Sequence, residues 1–350
     1  MACKMSLPKF RLYNWIADYR LRTKHNLSAS GLPEPDMDEM GIDTSYESYL
    51  AHAAEASALF CARIQEMYGL KDVSVFPTFG GSEAIFLAYF ANMGEKSSAV
   101  VPLPNYEPLF AVPAALGYSV KSDAEPSLGS VGANSLVALT DSNNPLGKTL
   151  ETELLEKLSN SGATLYVDET FREFLFPDKP TSSLTRFTNF TVSNTMTKFY
   201  GLSRIRAGWI ACSQDRMEAI IRAKRLVSGD NNPYSLWVAY QALRNRDRFV
   251  FRAKSTIATN LKLVNEFLDS TPGIEWSAPN AAPFGFVLLP PHVDSLKLCQ
   301  KAAERARILI APGEFFGKPG GFRLCFTSPW EELQESLEAL TKFLRSELAA

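Results

Sequence analysis

Lys198 stands among small hydroxyl residues, Thr195 and Thr197, in the stretch SNTMTKFYGLSRIRAGW (193–209), and Arg206 follows eight residues later. The β-rich run from Phe190 to Ser193 predicts that this lysine lies in the turn leaving a buried strand. Partial desolvation there lowers an amine's pKa, and a neutral amine attacks a carbonyl to form a Schiff base. Arg206 contributes a fixed cation whose forked donors match a phosphate, and the threonine hydroxyls are further donors to the same anion. A lysine for an aldehyde beside an arginine and hydroxyls for a phosphate suggests pyridoxal phosphate. A lone K-x7-R spacing also occurs among ordinary surface cations, so the surrounding segments carry the weight.

Those segments alternate strand and helix. VSVFP (73–77), SAVVPL (98–103), SLVALT (135–140), TLYVDE (164–169) and WIACS (209–213) read as strands with near-continuous apolar character. Helical patterns occupy 81–93, 106–116, 151–159 and 215–227 between them, and Ser45 to Tyr68 forms an earlier alanine-rich helix that Gly69 stops. The pattern predicts an α/β fold, a mainly parallel sheet covered by helices on both faces. Pro233 opens a helical region to about Leu268, capped by Asn232, either one long helix between domains or two with a break. From Pro272 the texture becomes that of a smaller α+β unit: FGFVLLP (284–290), a helix over 295–307, ILIAPG, FRLCFT and a final helix over 330–348. The expected organisation is an N-terminal segment, 1–37, packing with the small domain, a large domain over 38–255 and a small domain over 256–350. At 350 residues the chain exceeds the size at which one core stops growing, about 250 to 300 residues.

In open parallel sheets ligands enter at the carboxyl ends of the strands, and four of these ends carry suggestive residues. FGGSEA (79–84) joins strand to helix, where Gly81 and Ser82 point amides at an anion, or simply make a βα turn. PNYEP (104–108) sets Tyr106 just past a strand, a ring either to stack on a planar ligand or to fill the core. In DSNNPLG (141–147), Asn144 precedes a proline and is held extended, leaving its amide free for a ligand oxygen. YVDET (166–170) puts Asp168 at the end of an apolar strand, a costly place for an unpaired carboxylate. Either a buried ion pair or a protonated pyridine nitrogen would satisfy it, and the latter keeps a pyridine ring able to accept electrons.

Composition narrows the class. A formal charge of −2 and a pI near 6.0 give no global reason for nucleic acid or an anionic membrane as partner. Five widely spaced cysteines, Cys3, Cys61, Cys212, Cys299 and Cys325, contain no C-x-x-C pair, so neither a disulfide framework nor a metal site is expected, and a reducing cytoplasm fits. No apolar run approaches the roughly 18 residues of a membrane span, and MACKMSLPKFRLYNW lacks a signal-like core.

The order of these features, namely Gly-rich turn, Tyr, Asn-Pro-x-Gly, strand-end Asp, Lys and then Arg, resembles the class I/II aminotransferases, fold-type I enzymes that use pyridoxal phosphate. The resemblance covers roughly residues 26–340, and NNPLG with TMTKFYGLSRIRAGW is its specific part. It implies that Lys198 holds the cofactor as a Schiff base, Asp168 binds the pyridine nitrogen, Asn144 the ring hydroxyl, and Tyr106 stacks on the ring. It assigns Gly81, Ser82, Thr195, Thr197 and Arg206 to the phosphate. Arg323 in GFRLCF matches the arginine that grips a substrate α-carboxylate, and Gly31 in SASGLP a glycine beside it, both in the smaller, mobile part. The implied activity moves an amino group from an L-amino acid to a 2-oxo acid, in a homodimer with shared sites.

Two positions depart from that pattern. The family commonly has a tyrosine three residues after the strand-end aspartate as a donor to the ring hydroxyl, and here Phe171 stands in its place, which leaves Asn144 alone and is expected to raise the pH at which the bound cofactor titrates. The tyrosine that reaches a neighbouring subunit's phosphate is either Tyr46 or Tyr49. Phe171 keeps a lyase, decarboxylase or amino-acid cyclase of the same fold as the alternative. Arg20, Arg22 and Arg204 are the candidates for a side-chain carboxylate, each equally at home on a solvated surface.

Overall fold

The computed structural model describes residues 7–94, 98–122, 131–175, 177–280 and 282–349; Cys3 and the start of the leader lie outside them. In chain order the strands are β1 (His25–Asn26), β2 (Ser74–Thr78), β3 (Ser98–Val100), β4 (Ser119–Lys121), β5 (Ser135–Thr140), β6 (Thr164–Asp168), β7 (Phe190–Thr195), β8 (Gly208–Cys212), β9 (Glu275–Ser277), β10 (Phe284–Leu288), β11 (Ile308–Leu309), β12 (Ala311–Pro312) and β13 (Gly321–Cys325). The helices are α1 (Arg11–Tyr19), α2 (Tyr46–His52), α3 (Ala56–Tyr68), α4 (Gly81–Phe90), α5 (Pro108–Ala115), α6 (Thr152–Ser159), α7 (Gln214–Val227), α8 (Pro233–Arg244), α9 (Arg246–Asp269), α10 (Ser295–Arg305) and α11 (Trp330–Leu348).

Seven strands form one sheet in the order β2-β8-β7-β6-β5-β3-β4. The apolar runs explain why it is covered on both faces, because alternate residues of each strand enter different cores. Leu136, Ala138, Tyr166 and Ile210 pack with Ala84, Ile85, Met217 and Ile220 of α4 and α7. Val137, Leu139, Leu165, Val167 and Val192 pack with Leu155 and Leu158 of α6. Strand β8 alone runs against the rest, pairing antiparallel with both β2 and β7 in a register that sets Gly208 opposite Thr195. The chain therefore leaves β7 and re-enters β8 at the same sheet edge, which returns Arg206 to the end where Lys198 lies.

A second, antiparallel sheet has the order β12-β13-β10-β9 and shares a core with α10, α11 and the far half of α9. Helix α9 spans two cores: Phe249, Val250 and Ala253 pack with α3 and α8, while Leu263, Val264 and Leu268 pack under the second sheet. The N-terminal segment joins this second unit, since β1 pairs with β11 and the Trp15 Nε1 donates to the Ile310 carbonyl at 3.0 Å.

Two helices differ from the sequence reading, and a third place decides between the alternatives it left open. The stretch from Ser45 to Tyr68 breaks after His52, where His52 and Glu55 bond to each other and the His52 ring packs 4.0 Å from that of Trp237. The region after Pro233 is two helices, with Asn232 capping the first through the Tyr234 amide. Asn245 leaves helical geometry between them, its side-chain amide donating to the carbonyls of Gly41 and Gln241. The helix expected from Tyr106 begins at Pro108, because the Tyr106 amide is taken by the Asn105 side chain and Pro108 suits the first turn.

A buried carboxylate ties α3, the loop after β7 and the start of α9 together. Glu173 follows β6 and accepts from the Tyr68 hydroxyl at 2.9 Å, the Tyr200 hydroxyl at 3.0 Å, and the Arg246 Nε and Nη2 at 3.2 and 3.0 Å. Removing one partner of a buried pair strands the other charge, at a cost of about 3–5 kcal/mol. Arg246→Met is expected to lower unfolding stability in urea by about 3 kcal/mol, and the double variant Glu173→Gln/Arg246→Met to recover much of it. Equal stability of Arg246→Met and the parent would show that the network carries no net energy.

Candidate active site

Between Thr195 and Gly208 the chain makes a tight loop whose side chains converge on the carboxyl edge of the sheet. Thr195 ends β7, and its hydroxyl lies 2.8 Å from that of Thr197 while accepting from the Thr197 amide at 3.2 Å. Arg206 has φ +50, in the left-handed region that non-glycine residues seldom occupy, the kind of local strain that collects at functional positions. Its guanidinium donates to the carbonyls of Ser203 and Phe79 at 3.2 and 3.3 Å, and no carboxylate among the described residues pairs with it. Gly80 has φ +83, and a Cβ there would sit 3.0 Å from the Arg206 Nη2 and 3.6 Å from the Thr195 hydroxyl. Gly81 and Ser82 then open α4, so free helix amides, two hydroxyls and an unpaired guanidinium face one another. This is a cradle for an anion, and a side chain on Gly80 would close it.

Deeper in, Lys198 is half-buried, and its amine donates to the Ser30 hydroxyl at 3.1 Å. Burial, and then the charge of Arg323, lower its pKa to about 8. Gly31 lies flat against it: a Cβ at Gly31 would stand 3.3 Å from the Lys198 Cα and 2.9 Å from the Thr197 carbonyl. Asp168 is 5% exposed, and burial raises its pKa to about 6 against the opposing effects of Thr170, whose amide and hydroxyl donate to it at 3.0 and 2.5 Å, and of Lys198. Tyr106 is half-buried beside these groups. Burial and then the charge of Asp168 push its hydroxyl well above the usual phenol range, with Arg323 and Arg206 opposing.

Arg323 comes from the second sheet and is 2% exposed. Its Nη1 donates to the Asn144 side-chain oxygen at 2.8 Å and its Nη2 to the Ser28 carbonyl at 3.0 Å, while its Nε is buried without a partner. Phe284 and Phe316 hold the guanidinium between them at 5.2 and 5.0 Å from their ring centroids. A buried arginine held by neutral groups, with one donor unanswered, calls for an anion of its own. Asn144 is itself fixed through the Thr140 hydroxyl and, beyond it, Asn105.

Hydrogen bonds, close approach and electrostatic coupling thus bring Lys198, Gly31, Asn144, Asp168, Thr195, Thr197, Arg206 and Arg323 together, with Gly81, Ser82 and Tyr106 at the same edge. Phe171 is buried with its ring edge-on to Phe284, 4.7 Å between centroids, so it abuts the ring that supports Arg323. Tyr46 and Tyr49 stand together on α2, with Tyr46 exposed and Tyr49 against Tyr234. Arg204 is exposed and pairs with Glu34, and Arg20 and Arg22 are exposed on the turn after α1. The sequence reading did not single out Ser30, Thr170 or Asn105. The first adjoins the noted Gly31 and the second the noted Asp168, but a hydroxyl beside a chemically important residue is too common to signal a role.

The residues fit pyridoxal phosphate on structural grounds: the strand-end carboxylate is raised by burial for want of a cation, the glycine-floored cradle suits a phosphate, and the desolvated amine suits an aldehyde. Among the described residues no group of side chains is arranged to hold a metal ion, and no helix is long and apolar enough to cross a membrane.

Comparison with known proteins agrees. A family model described as "Aminotransferase class I and II" matches residues 39–340. Capreomycidine synthase of Streptomyces vinaceus is 28% identical, over 97% of this chain and 94% of its own. Aspartate aminotransferase of Thermotoga maritima is 26% identical, over 81% of this chain and 79% of its own. The solved structure of a PLP-dependent aminotransferase from Streptococcus suis 89-1591 superposes with a TM-score of 0.87 at 20% identity, covering 98% of this chain and 99% of that one, and shows the same fold-type I architecture. Taken with the cradle, the strand-end aspartate and the desolvated lysine, the match over most of the chain establishes that this protein belongs to the class I and II aminotransferase family, enzymes whose cofactor is pyridoxal phosphate.

Proposed function

We propose that this enzyme transfers the amino group of an L-amino acid to a 2-oxo acid, alternating between two half-reactions at one site. The observation that supports this most strongly is Arg323, a buried guanidinium with an unanswered donor beside a lysine of lowered pKa. A small carboxylate there presents its α-carbon to an amine able to take up a proton. When bound, pyridoxal phosphate supplies an electron-withdrawing ring that lets the α-carbon release its proton.

The chain's own residues divide the remaining work. Thr195, Thr197, Arg206 and the amides of Gly81 and Ser82 would hold the phosphate. Asp168 would keep the ring nitrogen protonated, Asn144 would face the ring hydroxyl and Tyr106 the ring itself. Lys198 would hold the cofactor at rest and, when free, would carry the proton on Nζ. Arg323 fixes the carboxylate, with Gly31 leaving room beside it, so that positioning becomes rate. We further propose that 38–255 and 256–350 act as two domains with 1–37 attached to the second, and that the enzyme is a homodimer in which Tyr46 or Tyr49 reaches the neighbouring site.

A second reading is a cyclase or lyase reaction that begins with the same proton removal. The similarity to capreomycidine synthase along nearly the whole chain favours it, and so does Phe171 in place of a tyrosine donor. Mixing the purified enzyme with single amino acids separates the two. Transamination leaves an aminated cofactor that absorbs in the near ultraviolet, together with one equivalent of 2-oxo acid, and added pyruvate or 2-oxoglutarate restores the starting spectrum. A cyclised or eliminated product with the cofactor spectrum regenerated in one cycle establishes the second reading instead.

Lys198→Ala is expected to abolish turnover, by at least about 10⁴-fold, with an unchanged circular dichroism spectrum; retained activity would exclude Lys198 as the proton carrier. The depressed lysine pKa also gives a signed expectation. With the folded value near 8, well below the ordinary 10.5, the amine becomes neutral and reactive as pH rises through about 8. The rate at which apoenzyme captures pyridoxal should therefore rise between pH 7 and 9 and level off above that, whereas a rate still climbing at pH 10 would place the amine in water.

A further inference from the structure

Behind the phosphate cradle lies an ion pair that the proposed chemistry does not use. Glu83 is the third residue of α4, and its Oε2 accepts from the Phe79 amide at 2.7 Å, reaching back across the Gly80–Gly81 turn. Lys224, from α7, donates to the same oxygen at 2.9 Å, and its side chain is 1% exposed. Ser228 donates to the Glu83 Oε1 and accepts from the Lys224 amine at 3.1 Å. The same amine lies 4.4 Å from the centroid of the Phe79 ring. The Phe79 carbonyl, on the other side of the turn, accepts from Arg206.

Glu83 therefore does two opposed things. Its hydrogen bond to the Phe79 amide fixes the turn on which Gly80 approaches Arg206. Its charge, however, occupies the positive end of α4, where a phosphate must also settle, and two anions at one helix start compete. Lys224 cancels that charge at hydrogen-bond distance while pressing on the Phe79 ring, so the turn keeps its clamp without repelling an anion.

We infer that Lys224 and Glu83 are positioning residues for the cofactor phosphate, Glu83 fixing the Phe79–Gly81 turn and Lys224 neutralising Glu83 so that the cradle accepts a dianion. The inference rests on the proposed phosphate reading of that cradle. A pair that merely packs α7 against α4 would be indifferent to what the cradle holds.

Pyridoxal, which has the aldehyde and ring but no phosphate, separates these roles. Apoenzyme is titrated with pyridoxal phosphate and with pyridoxal, each followed by absorbance of the bound form, for the parent, Lys224→Met, Glu83→Gln and the double variant. In Lys224→Met the affinity for pyridoxal phosphate is expected to fall about 10- to 100-fold, the range set by losing one charge-assisted interaction, with pyridoxal within about twofold of the parent. The double variant keeps an amide oxygen for the Phe79 amide and leaves no buried charge, so it is expected to regain pyridoxal phosphate affinity to within about threefold. If Lys224→Met does not fold, the decisive comparison is the double variant with Glu83→Ala/Lys224→Met, which lacks the acceptor and is expected to lose preference for the phosphorylated form. Equal losses for both ligands, or no loss for either, would overturn the inference. A parent that binds pyridoxal phosphate no better than pyridoxal would instead bring down the phosphate reading of the cradle, and the inference with it.

Discussion

The site depends on keeping two cations close together with no carboxylate hydrogen-bonded to either. Burial depresses the lysine's pKa, and Arg323 lies near enough to deepen the effect. Water would screen such a pair and a carboxylate would quench it. Asp168 offsets the effect only in part, and no carboxylate hydrogen-bonds to either cation: neutral oxygens from Asn144, Ser28 and Ser30 hold them, and Phe284 and Phe316 cover the guanidinium. What results is an amine poised for nucleophilic and proton-transfer work and a guanidinium short of one partner.

Holding that arrangement takes elements far apart in the chain. Lys198 is carried by the large sheet, Arg323 by the small one, and Ser28, Ser30 and Gly31 by the N-terminal segment between them. The Leu32 amide donates to the Lys198 carbonyl at 3.0 Å, and the Cys325 amide to the Leu27 carbonyl at 2.8 Å, so the N-terminal segment is bonded to both sides of the site. Glu173, with Tyr68, Tyr200 and Arg246, anchors the Lys198 loop from beneath, and α9 runs from that anchor into the core of the second sheet.

The two ends of the candidate cofactor site follow different physical rules. The phosphate end is polar and backbone-rich, with a glycine at positive φ, helix amides and an arginine in a strained conformation. The ring end is largely desolvated, and there the strand-end carboxylate becomes costly enough to need a cation. Fold and cofactor belong to the family as a whole, so neither by itself separates transfer from cyclisation. Beside Arg323, Phe171 and Phe284 pack edge-on in a small apolar cluster.

Much of this was legible along the chain. Apolar strands covered on both faces require a mainly parallel sheet, and Asp168, Asn144 and the Lys198–Arg206 loop follow such strands directly, so short-range pattern located them. The direction of β8 was not legible, because an apolar strand reads the same whether its partner runs with it or against it; only pairing of Thr195 with Gly208 brings Arg206 back to the site edge. The helix breaks at Ala53 to Glu55 and at Asn245 were likewise set by contacts with distant groups, Trp237 in one case and Gly41 in the other. Ser30 beside Lys198, and Lys224 beneath the glycine turn, are separated from their partners by well over a hundred residues, and a serine or lysine alone carries no mark of such a meeting. The sequence by itself determined which residue types were available and which strand ends they occupy, since those follow from local periodicity. Tertiary structure alone decided which charges are buried together, because desolvation depends on everything packed around a group and not on its neighbours in the chain.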